Sequence, residues 1–494
     1  MELRQLLAGA DVTEIRGDPA IEVTALAYDS RRATAGSLFF CYPGQVSDGH
    51  DYAPLAVQAG ASAVVVERPL ELEPQVVQAQ VADGRAAMAH AAARFYDDPT
   101  AEIPVIGITG TNGKTTTAFL VRQILEQLGI QTGLLGTVKR VVGGVEEPVE
   151  RTTPEAIDLQ ATFRAMVEGG DRCCAIEVSS HALALRRTQG IRFAVAAFTN
   201  LTQDHLDFHA DMEDYFLAKR RLFQAGRAER AVINIDDPYG DRLATEFEAT
   251  TFSASGDERA DLRALDLAFD AAGSRFRLRA GDLDLELTLP LPGRFNVENA
   301  LCAIAAVAEL GVSIADAGAA LSRAERVPGR FEPVDEGQSF TVIVDYAHTP
   351  DSLENVLESA RQITPAEGRL ICVFGCGGDR DRDKRPLMGE IAARLADLAV
   401  VTSDNPRSED PQAIVDQVLA GIGAGGAEVE AEVDRRAAIA LAVAAARAGD
   451  TVVIAGKGHE QGQELEHGRK IPFDDRDVAA EELRRLAAPA GAGS

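Results

Sequence analysis

Residues 105–116 read V-I-G-I-T-G-T-N-G-K-T-T, an apolar run that passes through a glycine-rich turn into a helix with an apolar face of Phe119, Leu120, Ile124, Leu125 and Leu128. Strand, tight loop and helix in that order commit the chain to an α/β fold, with the loop at the carboxyl end of a buried strand. Such a loop can close its backbone N–H groups around phosphate oxygens. Gly110 and Gly113 permit the turn, Lys114 supplies a point charge, and the Thr115 hydroxyl suits Mg²⁺. One position departs from the strict pattern, whose first glycine would fall on Ile108. A glycine-rich turn without a ligand is the alternative.

The same rhythm continues on both sides. Residues 1–101 mix short strand-like runs at 21–24, 37–40 and 63–67 with turns at Pro43-Gly44 and Asp48-Gly49, a small α/β domain. Asp97-Asp98-Pro99-Thr100 then breaks an alanine-rich helix and sets the first boundary. Residues 102–331 alternate apolar strands, such as 175–178 and 231–235, with helices, as a mostly parallel sheet requires. Between about 250 and 290 short alternating strands suggest an antiparallel edge. Residues 332–494 repeat strand and helix, with strands at 341–345, 370–374, 399–402 and 452–455, a Rossmann-like unit whose post-strand loops are polar. The fold class expected is thus α/β in three domains: a small N-terminal α/β domain, a central P-loop-like ATPase domain and a C-terminal Rossmann-like domain. The tail at 489–494 is expected to be mobile.

Charge narrows the partners. The 494 residues carry 77 Asp and Glu against 49 Lys and Arg, a formal net charge of −28, which argues against coating nucleic acid or an anionic membrane. Only six of those cations are lysines, at 114, 139, 219, 384, 457 and 470. The six cysteines show no zinc or disulfide spacing and read as reduced core residues. No leader or membrane span is evident, so a cytoplasmic protein is expected.

Several further segments hold chemistry. Glu177 ends a strand and is followed by Ser179, Ser180 and His181; it could bind Mg²⁺ or face water. Residues 198–209 run from a strand into a loop with His205, His209, Asp204 and Asp207, either a metal site or a capped helix start. Lys219 sits on a helix, where a solvated lysine is the plain reading. Asn296 could cap a helix and Arg330 could be a surface arginine. Residues 375–381, 403–407 and 455–460 each follow a strand of the last domain. They bring Arg380, Asp404, Asn405, Pro406, Arg407, Gly456, Lys457 and Glu460 to loops. In such loops a guanidinium can grip a carboxylate bidentately and a glutamate can take an ammonium, or the same groups can pair as structural salt bridges.

The T-G-T-N-G-K-T loop together with these segments resembles the Mur ligases, ATP-dependent amide-forming enzymes of peptidoglycan synthesis, over nearly the whole chain. The resemblance implies that the domains bind the UDP-linked precursor, ATP and the incoming amino acid in turn. It implies ATP contacts from Gly110, Thr111, Asn112, Gly113, Lys114, Thr115, Thr116, Asn296, Asn299, Arg330, Asp345 and His348. Two magnesium ions would involve Thr115, Glu177, His205 and Lys219 as its carbamate, which explains lysine there, since arginine cannot take up CO₂. Tyr28, Ser30, Gln45, Val46, Ser47, Thr152, Thr153, Ser179 and Arg187 match precursor-binding positions; Leu185 replaces a glutamine that some members use there. The D-N-P-R motif at 404–407 matches members that add meso-diaminopimelate. The resemblance assigns diaminopimelate contacts to Arg380, Asp404, Asn405, Pro406, Arg407, Gly456 and Glu460.

The function expected is ATP-dependent ligation of meso-2,6-diaminopimelate to UDP-N-acetylmuramoyl-L-alanyl-D-glutamate through an acyl phosphate, with Lys114, Lys219, His205 and Glu177 as the catalytic set. Small-molecule substrates and a monomer are expected, with no nucleic acid and no membrane insertion. An L-lysine-adding ligase, a folylpolyglutamate synthetase sharing the ATPase core, and a catalytically silent nucleotide-binding regulator are the alternatives.

Overall fold

The computed structural model describes residues 1–44, 47–149, 151–423 and 426–487; Gln45, Val46 and the tail at 489–494 lie outside the described residues. The chain forms two compact units, Met1–Thr109 with Gly129–Ala196 and Ala218–Arg230, and Gly110–Leu128 with Ala197–Leu217 and Ala231–Ser494.

In the first unit five strands lie in the order Val12–Arg16, Val77–Val81, Ala63–Val66, Ser37–Phe40, Ala25–Ala27. Only the pairing of Val12–Arg16 with Val77–Val81 is antiparallel. Strands buried on both faces read as continuous apolar runs. Here Leu38, Phe40 and Val65 pack on one face with helix Gly84–Phe95, and Phe39, Val64 and Val66 on the other. The strand expected at 21–24 falls instead at Ala25–Ala27, the stretch that pairs with Ser37–Phe40. Within 21–24 the chain makes an isolated bridge, Glu22 to Glu2, and Val23 N–H donates to the Met1 carbonyl. Later in this unit Cys173–Glu177 pairs in parallel with both Val105–Thr109 and Thr132–Leu135.

In the second unit helices Lys114–Gln127 and Arg294–Ala308 pack side by side. Strands Leu262–Asp270, Gly273–Ala280 and Leu283–Leu289 form the expected antiparallel meander, with strands longer than the sequence suggested. A six-stranded sheet follows in the order Glu332–Pro333, Thr341–Asp345, Thr451–Ala455, Leu370–Cys376, Leu398–Ser403, Glu428–Ala431. All its pairings but the first are parallel. The loops that leave Asp345, Cys376, Ser403 and Ala455 therefore emerge at one edge, where open parallel sheets bind ligands. Helices such as Pro350–Ile363, Lys384–Leu395 and Arg435–Ala445 bury both faces.

All six cysteines are buried and free, and burial pushes the Cys41, Cys173 and Cys376 thiols up to about 12. Among the described residues no helix is long and apolar enough to cross a membrane.

Candidate active site

In the second unit the glycine-rich loop is held from three directions. Helix Lys114–Gln127 starts at Gly113, whose φ of +85° is left-handed and whose missing Cβ leaves room for Asn299 Oδ1. The Asn112 amide N–H donates to Asn200 Oδ1 at 2.8 Å and its Nδ2 to Asp351 Oδ2 at 2.6 Å. Lys114 Nζ folds back to donate to the carbonyls of Gly110 at 2.9 Å and Thr111 at 2.7 Å. Thr115 and Thr116 are buried at the start of the helix, and Arg330 Nη2 donates to Thr115 Oγ1 at 3.1 Å. That guanidinium also lies 4.3 Å from the Tyr346 ring centroid, so Arg330 is no mere surface residue.

Asn296 does not cap its helix, which begins at Gly293; its Nδ2 donates to the Pro292 carbonyl at 2.8 Å. Asn299 is linked to Asn296 and to Thr117, each at 3.4 Å, so both asparagines stand beside the loop. Asp345 is buried, and burial pushes its pKa up; it accepts from the amides of Phe331 at 2.6 Å and Ala347 at 2.8 Å. His348 Nδ1 lies 2.8 Å from the Tyr346 carbonyl, and burial lowers its pKa.

His205 has a φ of +58°, unusual for a residue with a side chain. Its amide donates to Asp204 Oδ1 at 2.9 Å, and its Nε2 lies 3.4 Å from Asp204 Oδ2. Asp204 also faces Lys384 at 3.7 Å and His348 at 4.0 Å. Burial alone would raise the Asp204 pKa, yet His205, Lys384 and His348 pull it well below the usual carboxylate range. His209 is buried, 3.2 Å from Asp214 Oδ2 and stacked on Tyr215. Among the described residues no three His, Cys, Asp or Glu side chains cluster as a metal site by themselves.

The loops that follow two strands of the six-stranded sheet, Leu398–Ser403 and Thr451–Ala455, meet at Lys457. Lys457 is wholly buried, and its Nζ donates to Asn405 Oδ1 and Glu460 Oε2, both at 2.9 Å, with Asp404 Oδ1 3.9 Å away. Asn405 Nδ2 completes the triangle to Glu460 Oε2 at 2.9 Å. Burial favours the neutral form of Glu460, but the Lys457 charge and these hydrogen bonds outweigh it and lower its pKa. Gly456, at φ +123°, lets the backbone pass Asp404. Arg407 Nη1 donates to the Gly378 carbonyl at 2.8 Å, and Pro406 is buried beside it. Arg380 stays exposed, with Nη1 donating to the Asp379 carbonyl at 2.8 Å.

In the first unit a second network forms. Glu177 is buried; Oε1 accepts from the Thr137 amide at 2.7 Å and Oε2 from Thr137 Oγ1 at 3.0 Å. Thr137 Oγ1 also lies 3.0 Å from Thr152 Oγ1, and Thr153 Oγ1 donates to the Glu177 carbonyl at 2.9 Å. The Ser179 amide donates to Thr153 Oγ1 at 3.2 Å, and Arg187 Nη1 donates to the Thr153 carbonyl at 3.2 Å. Four of the expected precursor positions thus join one network, Thr153 bonding Glu177 directly, Ser179 and Arg187 bonding Thr153, and Thr152 reaching Glu177 through Thr137. Tyr28 hydroxyl donates to Asp158 at 2.6 Å, Ser30 begins a short 3₁₀ turn capped by Asp29, and Ser47 accepts at its carbonyl from Gly44 at 2.8 Å. Lys219 is 1% exposed, which overturns the plain reading of a solvated helical lysine.

Nothing in the sequence marked Glu155, Arg85, Asp351 and Glu464 as site residues; apart from Arg151, four residues before Glu155, their partners lie far along the chain. Lysine scarcity was the one signal for Lys384.

The description of the Mur ligase middle domain matches residues 108–307, that of the Mur ligase glutamate ligase domain residues 329–458, and that of the Mur ligase family catalytic domain residues 22–101. A relative from Syntrophomonas wolfei, called UDP-N-acetylmuramoyl-L-alanyl-D-glutamate–2,6-diaminopimelate ligase, is 47% identical over 98% of this chain and 99% of its own length. One of the same name from Geobacillus kaustophilus is 48% identical over 94% and 95%. A solved structure bearing that ligase name superposes with a TM-score of 0.70 at 31% identity, covering 99% of both chains. The MurF ligase of Thermotoga maritima, solved with ADP, shares the fold at 18% identity with a TM-score of 0.63, covering 94% of this chain and 97% of its own. With near-full-length relatives at this identity and family descriptions matched along most of its length, the chain belongs to the Mur ligase family.

Proposed function

We propose that this chain ligates meso-2,6-diaminopimelate to UDP-N-acetylmuramoyl-L-alanyl-D-glutamate, with ATP converted to ADP and phosphate, in peptidoglycan synthesis. The observation that carries it is the likeness, at 47–48% identity over almost the full length, to ligases of that name. The Asn405–Lys457–Glu460 triangle beside Arg407 supports it, because it offers one carboxylate and one guanidinium to an amino acid with a charged far end. Three functional segments, 1–101, 102–331 and 332–494, serve precursor, ATP and amino acid.

The glycine-rich loop binds the ATP phosphates through its amides and Lys114, with Asn296 and Asn299 toward the base and Asp345 and His348 toward the nucleoside. The γ-phosphoryl group passes to the D-glutamyl side-chain carboxylate, and the amine of diaminopimelate displaces phosphate from the acyl phosphate. Lys114 and Arg330 screen the charge that develops on the transferred group. Protein groups mainly orient the two anions, so little proton transfer is asked of them. By donor chemistry magnesium suits residues of each unit: in one, Thr115 offers a hydroxyl and His205 an imidazole, and in the other, Glu177 offers a buried carboxylate oriented by Thr137 and Lys219, as a carbamate, a second carboxylate. Magnesium would supply charge neutralisation on the phosphates. Tyr28, Ser30, Gln45, Val46, Ser47, Thr152, Thr153, Ser179 and Arg187 hold the UDP-linked precursor. Arg380, Asp404, Asn405, Pro406, Arg407, Gly456 and Glu460 hold diaminopimelate. The working form is a cytoplasmic monomer acting on small molecules.

Incubation with ATP, Mg²⁺, the UDP-linked dipeptide and meso-diaminopimelate should give the UDP-linked tripeptide by mass spectrometry, together with ADP. ADP without tripeptide would point to a different acceptor, and neither product to a silent nucleotide binder.

A further inference from the structure

Glu155 occupies the N-cap of helix Ala156–Glu168, yet its side chain makes no capping bond. A carboxylate at that position ordinarily accepts from the first free amides of the helix. Here it turns into a cluster of three arginines and is 5% exposed. Arg187 Nε lies 2.8 Å from Oε1, Arg151 Nη1 donates to Oε1 at 3.2 Å, and Arg85 Nη1 lies 3.6 Å from Oε2. The Arg85 guanidinium stacks 4.2 Å from the Tyr42 ring centroid, which fixes its plane.

One carboxylate against three guanidinium groups leaves a local surplus of positive charge in a chain whose net charge is −28. Arg151 is exposed, but Arg85 and Arg187 are mostly buried and share the one carboxylate of Glu155, an imbalance that a cluster built only for stability would avoid because buried unpaired cations are costly. Burial and the neighbouring charges of Arg151 and Arg85 lower the Arg187 pKa against the pull of Glu155. Arg85 Nη1 and Glu155 Oε2 are buried and make no hydrogen bond within the protein. The cluster is also continuous with the network at Glu177, through the bond from Arg187 to the Thr153 carbonyl and from Thr153 to Glu177.

We propose that Glu155 is a positioning residue that gathers Arg85, Arg151 and Arg187 into a clamp for an anionic group, carboxylate or phosphate, of the UDP-linked dipeptide. It rests on the ligase reading above and adds three residues to it, since Arg187 alone was expected from the sequence. Glu155 offsets the repulsion among the three forks and holds them side by side. Arg85 and Arg151 then contribute directly, and Glu155 acts through them.

Calorimetric binding of the UDP-linked dipeptide to the full chain tests this, with UDP-N-acetylmuramoyl-L-alanine and UDP as shorter probes. Glu155→Gln and Arg85→Gln should each weaken dipeptide binding by about 10-fold or more, the size expected when a charge-assisted contact is lost. The KM for ATP should hold in both, the melting temperature should fall in Glu155→Gln because its arginines lose their counter-charge but hold in Arg85→Gln, and Glu155→Asp should recover part of the affinity. Weakening for the dipeptide alone assigns the clamp to a D-glutamyl carboxylate, and equal weakening for all three probes assigns it to the diphosphate. Unchanged dipeptide binding by both Gln variants would overturn the proposal, as would a fall in ATP affinity in step with the dipeptide affinity, or an equal loss of stability in Arg85→Gln. If the wild-type chain itself fails to bind the dipeptide, the ligase reading falls first.

Discussion

Arg407 Nε donates to Glu464 Oε2 at 2.9 Å, so the guanidinium assigned to the far carboxylate of the amino acid holds a carboxylate of its own chain. Arg407 sits at φ +51°, in the left-handed region, and its fork is held by Glu464 and by the Gly378 carbonyl. Arg407→Ala should raise the KM for diaminopimelate roughly 10-fold or more, from about 1.5–3 kcal/mol of charge-assisted hydrogen bonding, and leave the KM for ATP alone. Glu464→Gln should lower the diaminopimelate KM, because it removes a competing anion. Steady-state kinetics in the two co-substrates checks both, and an unmoved KM in Arg407→Ala would take Arg407 out of the site.

Gly113 should tolerate no side chain. At φ +85° an alanine is strained, and its Cβ would run into Asn299 Oδ1, pushing the asparagine from the loop. Gly113→Ala is therefore expected to lose ATP binding while still binding the UDP-linked dipeptide. Titration with a fluorescent ATP analogue separates these two effects.

Lys219 should resist replacement by arginine as well as by alanine. Arginine keeps the charge but cannot become a carbamate. Both variants are expected to lose kcat by at least roughly 100-fold, the scale of removing a group that organises charge in the transition state. A carbamate carbon should appear in the ¹³C NMR spectrum of wild-type protein exchanged with labelled bicarbonate and be missing from Lys219→Arg. Near-normal turnover by Lys219→Arg would count against the role.

Much of the second unit was legible in the sequence because its parallel strands, such as Leu370–Cys376 and Leu398–Ser403, are unbroken apolar runs buried on both faces. Val12–Arg16 and Val77–Val81 were not, since Thr13, Glu14, Gln78 and Gln80 interrupt their apolar pattern. Gln78 earns its buried place by pairing with Leu70, 8 residues away, through both amide atoms. In the candidate site, contiguous motifs brought out Lys114, Asn405 and Arg407. Glu464 reaches Arg407 across 57 residues, and nothing local marks either residue as the other's partner. Glu155, one acid among 77, has a local partner in Arg151, but Arg85 and Arg187 reach it from distant segments that nothing local marks.

Acid stability should report on a second buried arginine. Arg385 is wholly buried; its Nη1 and Nη2 donate to the two carboxylate oxygens of Glu409 at 3.0 and 2.9 Å, and Nη1 also to Gln417 at 2.8 Å. The bond from Arg385 holds the Glu409 carboxyl down at about 2. An ordinary glutamate titrates near 4.3, so this depressed folded-state value stabilises the protein above about pH 4.3, and the gain drains away as pH falls toward 2. Glu409→Gln should lower the melting temperature at pH 7 and flatten its dependence on pH across that window. Identical acid limbs for variant and wild type would show that Glu409 does not carry this linkage.

The choice of amino acid is the most direct test. Phosphate release from ATP is to be measured with saturating UDP-linked dipeptide and either meso-diaminopimelate or L-lysine. L-Lysine lacks the far carboxylate and would leave Arg407 without its ligand. A kcat/KM at least roughly 100-fold higher for meso-diaminopimelate is the expected result. Equal or faster release with L-lysine would contradict the assignment.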